Sequence, residues 1–311
     1  MGSFPGGHPT TVLSLTVNSE IELSDGWVHL DGAVNVRDLG GLRTDDGRRT
    51  LGRRLLRADN LQNLTEADVR LLVDDYGVRQ VLDLRTSAEI NLEGPGPITQ
   101  EEAVIVREFT LYPEAGKRTD ALTEGITGGS DAAAQTPWTT GHRPPLDIDA
   151  TERPAVIHYL GYLRHASDNI VHSLRAIGEH NEGATLVHCA AGKDRTGTVI
   201  ALALSVAGVR REDVVADYAR SGEVIDEIMA RLASTQTYAA DVSDAEGNPV
   251  TDVKMDPVTW AAIANRHRPR PETMWRLLEI LDERAGGPLR WLSEAGLTEA
   301  EQDAIRTHLL G

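Results

Sequence analysis

The chain has 311 residues, 40% of them hydrophobic, and a net charge of −17 from 31 basic against 48 acidic side chains. That balance excludes a general nucleic-acid or anionic-membrane binder, which needs a basic face, and no apolar run approaches the ~18 residues of a membrane span. One cysteine excludes an intrachain disulfide framework and suits a reducing, cytoplasmic setting. No charged-then-apolar leader marks export, although secretion without a cleavable signal stays open. Nothing in the composition indicates oligomeric state.

Residues 1–20 read as a flexible leader and 21–311 as a single domain. Asn35–Gly41 reads as a loop, and Leu51–Arg57, after the Asp46-Gly47 turn, as an early strand. Thr65 opens a short helix, with Asp68 placed to complete a capping box and Val69, Leu72 and Val73 on one face. Gly77 stops that helix; Val78–Leu84 and Ala103–Leu111 follow as strands. The alternation predicts an α/β fold with a central, mostly parallel sheet flanked by helices. Residues 115–152, rich in Gly, Thr, Ser, Asp and Pro, form an irregular insert, functional or disordered.

Pro154 opens a long helix reaching about His180, with Val156, Leu160, Leu163, Ile170, Leu174 and Ile177 as its core stripe. His158, His165 and His172 recur every seven residues away from that stripe. They lie about 10 Å apart along the axis, too far to share one metal ion, so a solvated or edge-packed face is expected. Ala184–His188 is a short buried strand and Thr196–Ala207 an apolar helix, which Gly208 stops. Helices over Arg211–Ser221 and Val224–Leu232 come next, then a polar stretch from Ser234 to Pro257. Further helical segments run to Asn265 and over Pro271–Ala285. Thr298 and Glu301 make a capping box for the last helix.

Chemistry concentrates between the buried strand and the apolar helix, in His188-Cys-Ala-Ala-Gly-Lys-Asp-Arg-Thr-Gly197. A strand-to-helix turn aims backbone N–H groups and the positive end of a helix at an anion. A helix N-terminus and a nearby cation favour a thiolate, so Cys189 is the candidate nucleophile, able to form a phosphocysteine. Arg195, six residues on, can grip two phosphoryl oxygens with its planar fork. Ala190, Ala191 and Gly192 have little bulk, so their amides can approach a phosphate as a nest of donors. Thr196 can donate to the sulfur, and His188 orders the loop. Asp194 is the nearest acid or base for leaving group and water, and Lys193 adds positive charge for a second anionic group. No metal or other cofactor is called for, since arginine and amides carry the phosphate's charge.

These residues resemble the signature of cysteine-dependent tyrosine phosphatases, and the Gly-Lys-Asp-Arg-Thr-Gly ending narrows the resemblance to the bacterial group of mycobacterial protein tyrosine phosphatase B. Asn35-Val-Arg-Asp-Leu-Gly-Gly41, Leu56-Arg-Ala-Asp-Asn-Leu61, Val81-Leu-Asp-Leu-Arg85, Asp217-Tyr-Ala-Arg-Ser221 and Trp291-Leu-Ser-Glu-Ala-Gly296 carry it across most of residues 30–311. The group acts on phosphotyrosine, sometimes phosphoserine or phosphothreonine, and phosphoinositides.

The resemblance implies that Arg37 and Asp38 brace the catalytic loop and that residues 222–272 form a helical lid. Arg85 is a further substrate-facing candidate. Glu114 follows an aromatic-proline pair where the family typically carries an aspartate, and it is second to Asp194 as the acid. Pro137-Trp138 does not reproduce the acid loop of animal tyrosine phosphatases. The expected partner is a phosphorylated protein or small molecule. The alternatives are a small-molecule phosphatase using the same mechanism, on a sugar, nucleotide or biosynthetic-intermediate phosphate, and a non-catalytic phosphate-binding module.

Overall fold

The computed structural model describes residues 26–112, 146, 148–179, 182–235, 237–238 and 257–311. The leader, most of the 115–152 insert, Glu114 and the Pro137-Trp138 pair lie outside them. No helix among the described residues is long and apolar enough to cross a membrane.

Five strands, β1 (Arg37–Asp38), β2 (Leu55–Ala58), β3 (Val78–Asp83), β4 (Ile105–Glu108) and β5 (Ala184–His188), form one sheet in the order β1-β2-β5-β3-β4. β1 is antiparallel to β2, and the other pairings are parallel, as the α/β alternation predicts. β5 is buried along its whole length, as expected for a parallel strand covered on both faces. Ala184 and Leu186 enter the core on one face of the sheet, while Val187 and Cys189 enter the core on the other. Register does the decisive work. Ala58 of β2 and Asp83 of β3 both pair with His188. Three parallel strands therefore end together, and the segments following Ala58, Asp83 and His188 meet at one edge, where α/β folds place their sites.

The helices are α1 (Glu66–Arg70), α2 (Ser87–Glu93), α3 (Pro154–His165), α4 (Ser167–Glu179), α5 (Asp194–Val206), α6 (Arg211–Arg220), α7 (Ile225–Ala233), α8 (Pro257–His267), α9 (Pro271–Ala285), α10 (Pro288–Glu294) and α11 (Glu299–Leu310). Both expected capping boxes form, at Thr65/Asp68 and Thr298/Glu301. α1 runs on as a π-helical turn, Leu71–Asp75, before Gly77 at φ +67 admits the turn into β3.

Three expectations change. The long helix from Pro154 is two helices broken at Ala166 (φ −128, ψ 27), although its predicted core stripe is buried throughout. The strand expected over Ala103–Leu111 shrinks to Ile105–Glu108, an edge strand whose Ile105 is 52% exposed. The early strand is confined to Leu55–Ala58, and the loop around Asn35–Gly41 contains β1. His158, half-buried, takes the edge-packed alternative: its Nε2 lies 2.6 Å from the Tyr112 hydroxyl and 2.7 Å from that of Tyr162.

Candidate active site

The loop from Cys189 to Lys193 leaves the buried end of β5 and enters α5. Its carbonyls are tied away from its centre, each by a different neighbour. Ala190 O accepts from Asn60 N (3.1 Å), Ala191 O from Asn35 Nδ2 (2.9 Å) and Gly192 O from Arg57 Nη2 (2.6 Å); Cys189 O faces His188 Nδ1 at 3.3 Å. A trans peptide points its N–H opposite its C=O. Anchoring the carbonyls outward therefore turns the following amides, of Ala190, Ala191, Gly192 and Lys193, toward the interior of the loop. Gly192 sits at φ +64, and a Cβ there would fall 2.4 Å from Ala58 O, so only glycine permits this close approach to β2. The result is a nest of donors at a helix N-terminus, which suits a tetrahedral anion.

Cys189, the only cysteine in the chain, is a free thiol, 1% exposed, at the floor of that nest. Arg195, in the first turn of α5, is fully buried. Glu89 of α2 holds its Nη1 and Nη2 at 2.8 Å each, Leu84 O accepts from Nη1 (3.1 Å), and the Tyr238 hydroxyl lies 3.0 Å from Nη2. The Tyr112 ring stands 5.3 Å from the guanidinium carbon. Glu89 also closes the capping box of α2 with Thr86. Burial works against its charge, but Arg195 and the donors around it outweigh that and hold its carboxyl below the ordinary range.

The sequence model of the tyrosine phosphatase family matches residues 28–311. The chain belongs to the tyrosine phosphatase family. It is 28% identical over 298 residues to the triple specificity protein phosphatase PtpB of Mycobacterium tuberculosis, covering 91% of this chain and 98% of that one. A tyrosine-protein phosphatase of Nostoc commune is 26% identical over 171 residues, 55% of this chain and 49% of its own.

In this phosphatase Asp194 is half-buried at the start of α5. Its Oδ1 accepts from the Tyr159 hydroxyl, and its Oδ2 lies 3.4 Å from Lys193 Nζ. Burial alone would raise its pKa, but Lys193, the Tyr159 hydroxyl and His158 outweigh burial and hold it below the ordinary carboxylate range. Lys193 Nζ also donates to His267 O (2.7 Å) at the end of α8. Burial, opposed by Asp83 at 3.5 Å, pushes His188 down to about 4, so its imidazole is neutral and orders the loop. Thr196 Oγ1 is buried and has no hydrogen-bond partner among the described residues.

A second ring of groups supports the loop. Asp217 of α6 binds Arg37 Nε (3.1 Å) and Arg57 Nη1 (2.5 Å), and Arg37 Nη1 donates to Asn35 Oδ1 (2.5 Å). Arg37 thus reaches Ala191 O through Asn35, and Asp217 reaches Gly192 O through Arg57. Asp38 does something else. It accepts from Gly40 N and Arg53 N, fixing a turn at which Arg53 adopts φ 57, and it makes no bond to the loop. Arg85 is buried, with its guanidinium spent on Asp83, Asn60 Oδ1 and Gly94 O. These contacts tie the end of β3 to neighbouring segments. Glu114 lies outside the described residues.

Helices α7 and α8 cover the loop. Ile225, Ile228, Met229, Ile263 and Ala264 pack with Ala191 in one apolar cluster, and Arg231 of α7 pairs with buried Asp59 at 3.1 Å. Sequence reasoning missed Glu89, Asn35, Arg57 and Tyr238 as parts of the site. Asn35 and Arg57 lie in the matching segments Asn35–Gly41 and Leu56–Leu61, and Thr86-Ser-Ala-Glu89 is itself a capping-box pattern.

Proposed function

We propose that this phosphatase hydrolyses phosphate monoesters, phosphotyrosine among them, through a phosphocysteine intermediate. The outward-anchored carbonyls around Cys189 carry this reading, because they leave four amides and Arg195 to neutralise three phosphoryl oxygens where a thiolate can attack. Cys189 Sγ forms a bond to phosphorus as the bond to the leaving oxygen breaks, and Asp194 delivers a proton to that oxygen. Water then attacks phosphorus, Asp194 takes its proton, and the sulfur departs as a thiolate with Thr196 donating to it. The resting, ionised Asp194 suits the second step directly. For the first, a phosphate dianion brought beside the carboxylate favours its protonated form. Lys193 offers a contact for a second anionic group.

The cover of α7 and α8, within residues 222–272, is the lid in this proposal: it shields the thiolate, and a phosphoprotein substrate requires it to swing clear. That same cover favours a second reading, a small phosphorylated metabolite enclosed beneath it. A reducing, cytoplasmic compartment suits an exchange-prone nucleophile. The test is turnover of an aryl phosphate by the wild type and Cys189→Ser, followed by a panel of phosphopeptides, phosphoinositides and phosphorylated metabolites. Loss of turnover in Cys189→Ser supports the mechanism, and undiminished turnover refutes it. The panel separates the two substrate classes.

A further inference from the structure

Asp194 is held directly by two groups, Tyr159 of α3 and its neighbour Lys193. The Tyr159 hydroxyl, from α3, bonds its Oδ1. An ionised carboxylate only accepts, so Tyr159 is the donor. A hydroxyl has one proton, so the contact between the Tyr159 and Tyr218 oxygens, at 2.7 Å, runs the other way, with Tyr218 of α6 donating to Tyr159. The chain of donors therefore has one direction, Tyr218 to Tyr159 to Asp194. Both rings are buried, meeting edge to face with centroids 6.1 Å apart. The Tyr218 ring is wedged against the first turn of α5, since a Cβ at Gly197 would stand 3.0 Å from it.

The opposite oxygen of Asp194 faces Lys193, itself anchored on His267 O. The other titratable groups facing Asp194 are His158 of α3 and the His267 ring of α8, which burial and Lys193 push down to about 4. Burial first, and Asp194 second, push both phenols above their ordinary values, so they donate hydrogen bonds without giving up protons. Phenylalanine at either position would fill the same space. The hydroxyls serve the carboxylate.

We propose that Tyr159, oriented by Tyr218, is a positioning residue that fixes where Asp194 points and how readily it gives or takes its proton. The proposal rests on the reading of Asp194 as the proton-transfer group.

The experiment measures kcat/KM against pH for an aryl and an alkyl phosphate. It compares wild type, Tyr159→Phe, Tyr218→Phe, Asp194→Asn and the Tyr159→Phe/Asp194→Asn double variant, with thermal unfolding of each as the folding control. Losing a hydrogen bond to a charged carboxylate moves its pKa up by about one to two units. The limb that vanishes in Asp194→Asn should move up by that amount in Tyr159→Phe and less, in the same direction, in Tyr218→Phe. The alkyl phosphate, whose poor leaving group needs the proton more, should lose about tenfold more than the aryl phosphate. In the Asp194→Asn background, Tyr159→Phe should add nothing to either measure. A Tyr159→Phe limb that stays in place, with both substrates slowed equally, overturns the positioning role. A limb and a leaving-group dependence that both persist in Asp194→Asn overturn instead the reading of Asp194 on which it rests.

Discussion

Replacing Glu89 with glutamine should damage both the fold and the reaction. Each carboxylate oxygen of Glu89 accepts twice. Oε2 takes Arg195 Nη1 (2.8 Å) and Thr86 N (2.7 Å); Oε1 takes Arg195 Nη2 (2.8 Å) and the Tyr238 hydroxyl. Glutamine turns one acceptor into a donor facing donors. At the Oε2 position its amide would oppose Thr86 N–H and Nη1, neither of which can accept. The gentler placement is at Oε1, where Tyr238 can rotate to accept, but Nη2 loses its carboxylate acceptor and keeps the Tyr238 oxygen at 3.0 Å. Either way the fully buried guanidinium loses its counter-charge. Breaking a buried ion pair from one side costs about 3–5 kcal/mol, a fall in Tm on the order of 10 °C for a domain of this size. An arginine no longer fixed at both Nη atoms also loses its aim at the phosphoryl oxygens, and kcat should drop about 10²–10³-fold, as when a preorganised oxyanion donor is lost. Thermal denaturation and aryl-phosphate turnover at saturating substrate read the two effects. A Tm within about 2 °C of wild type together with unchanged kcat would show that Glu89 neither secures nor aims Arg195.

Two further outcomes are expected. Gly192→Ala should lower kcat about 10²-fold or more and cost roughly 1–3 kcal/mol of stability, because its Cβ would collide with Ala58 O at 2.4 Å; wild-type turnover would show that the loop does not need its approach to β2. Stability should also fall as pH drops from about 6.5 to 4. His188 is held at about 4 in the folded state against 6.5 ordinarily, so the unfolded chain binds the extra proton in that window, and His267 adds to the effect. The His188 share is on the order of 3 kcal/mol. Asp83, Glu89 and Asp217, whose carboxyls are held below their ordinary values, add their losses as pH falls below about 5. Urea unfolding at pH 7, 5.5 and 4 measures the slope, which His188→Gln should flatten although Asp38 and Asp59, raised by burial, oppose it; a slope unchanged in His188→Gln would contradict the buried neutral imidazole.

Local signals were legible wherever a few adjacent residues set the geometry. The caps at Thr65 and Thr298 form as their spacing predicts, because a side chain and an amide three residues apart need no tertiary partner. The break at Ala166 was hidden because Val156, Leu160, Leu163, Ile170, Leu174 and Ile177 keep helical phase across it, so the apolar pattern is the same for one helix or two. Asp38 and Arg85 lie in matching motifs, yet they brace a turn and a strand end. A motif reports that a residue is needed without saying what it touches.

The amino-acid sequence by itself determined the candidate reaction centre. One cysteine and one arginine lie six residues apart in a strand-to-helix turn, so their relation is a matter of local backbone geometry. Only the tertiary structure decided what makes that turn a site. Asn35, Arg57, Asn60 and Glu89 stand 100 or more residues before the groups they hold, and Asp217 acts on the loop through Arg57. They meet because Ala58, Asp83 and His188 end three parallel strands at one register, and a register between strands is a long-range pairing that no short run of sequence encodes.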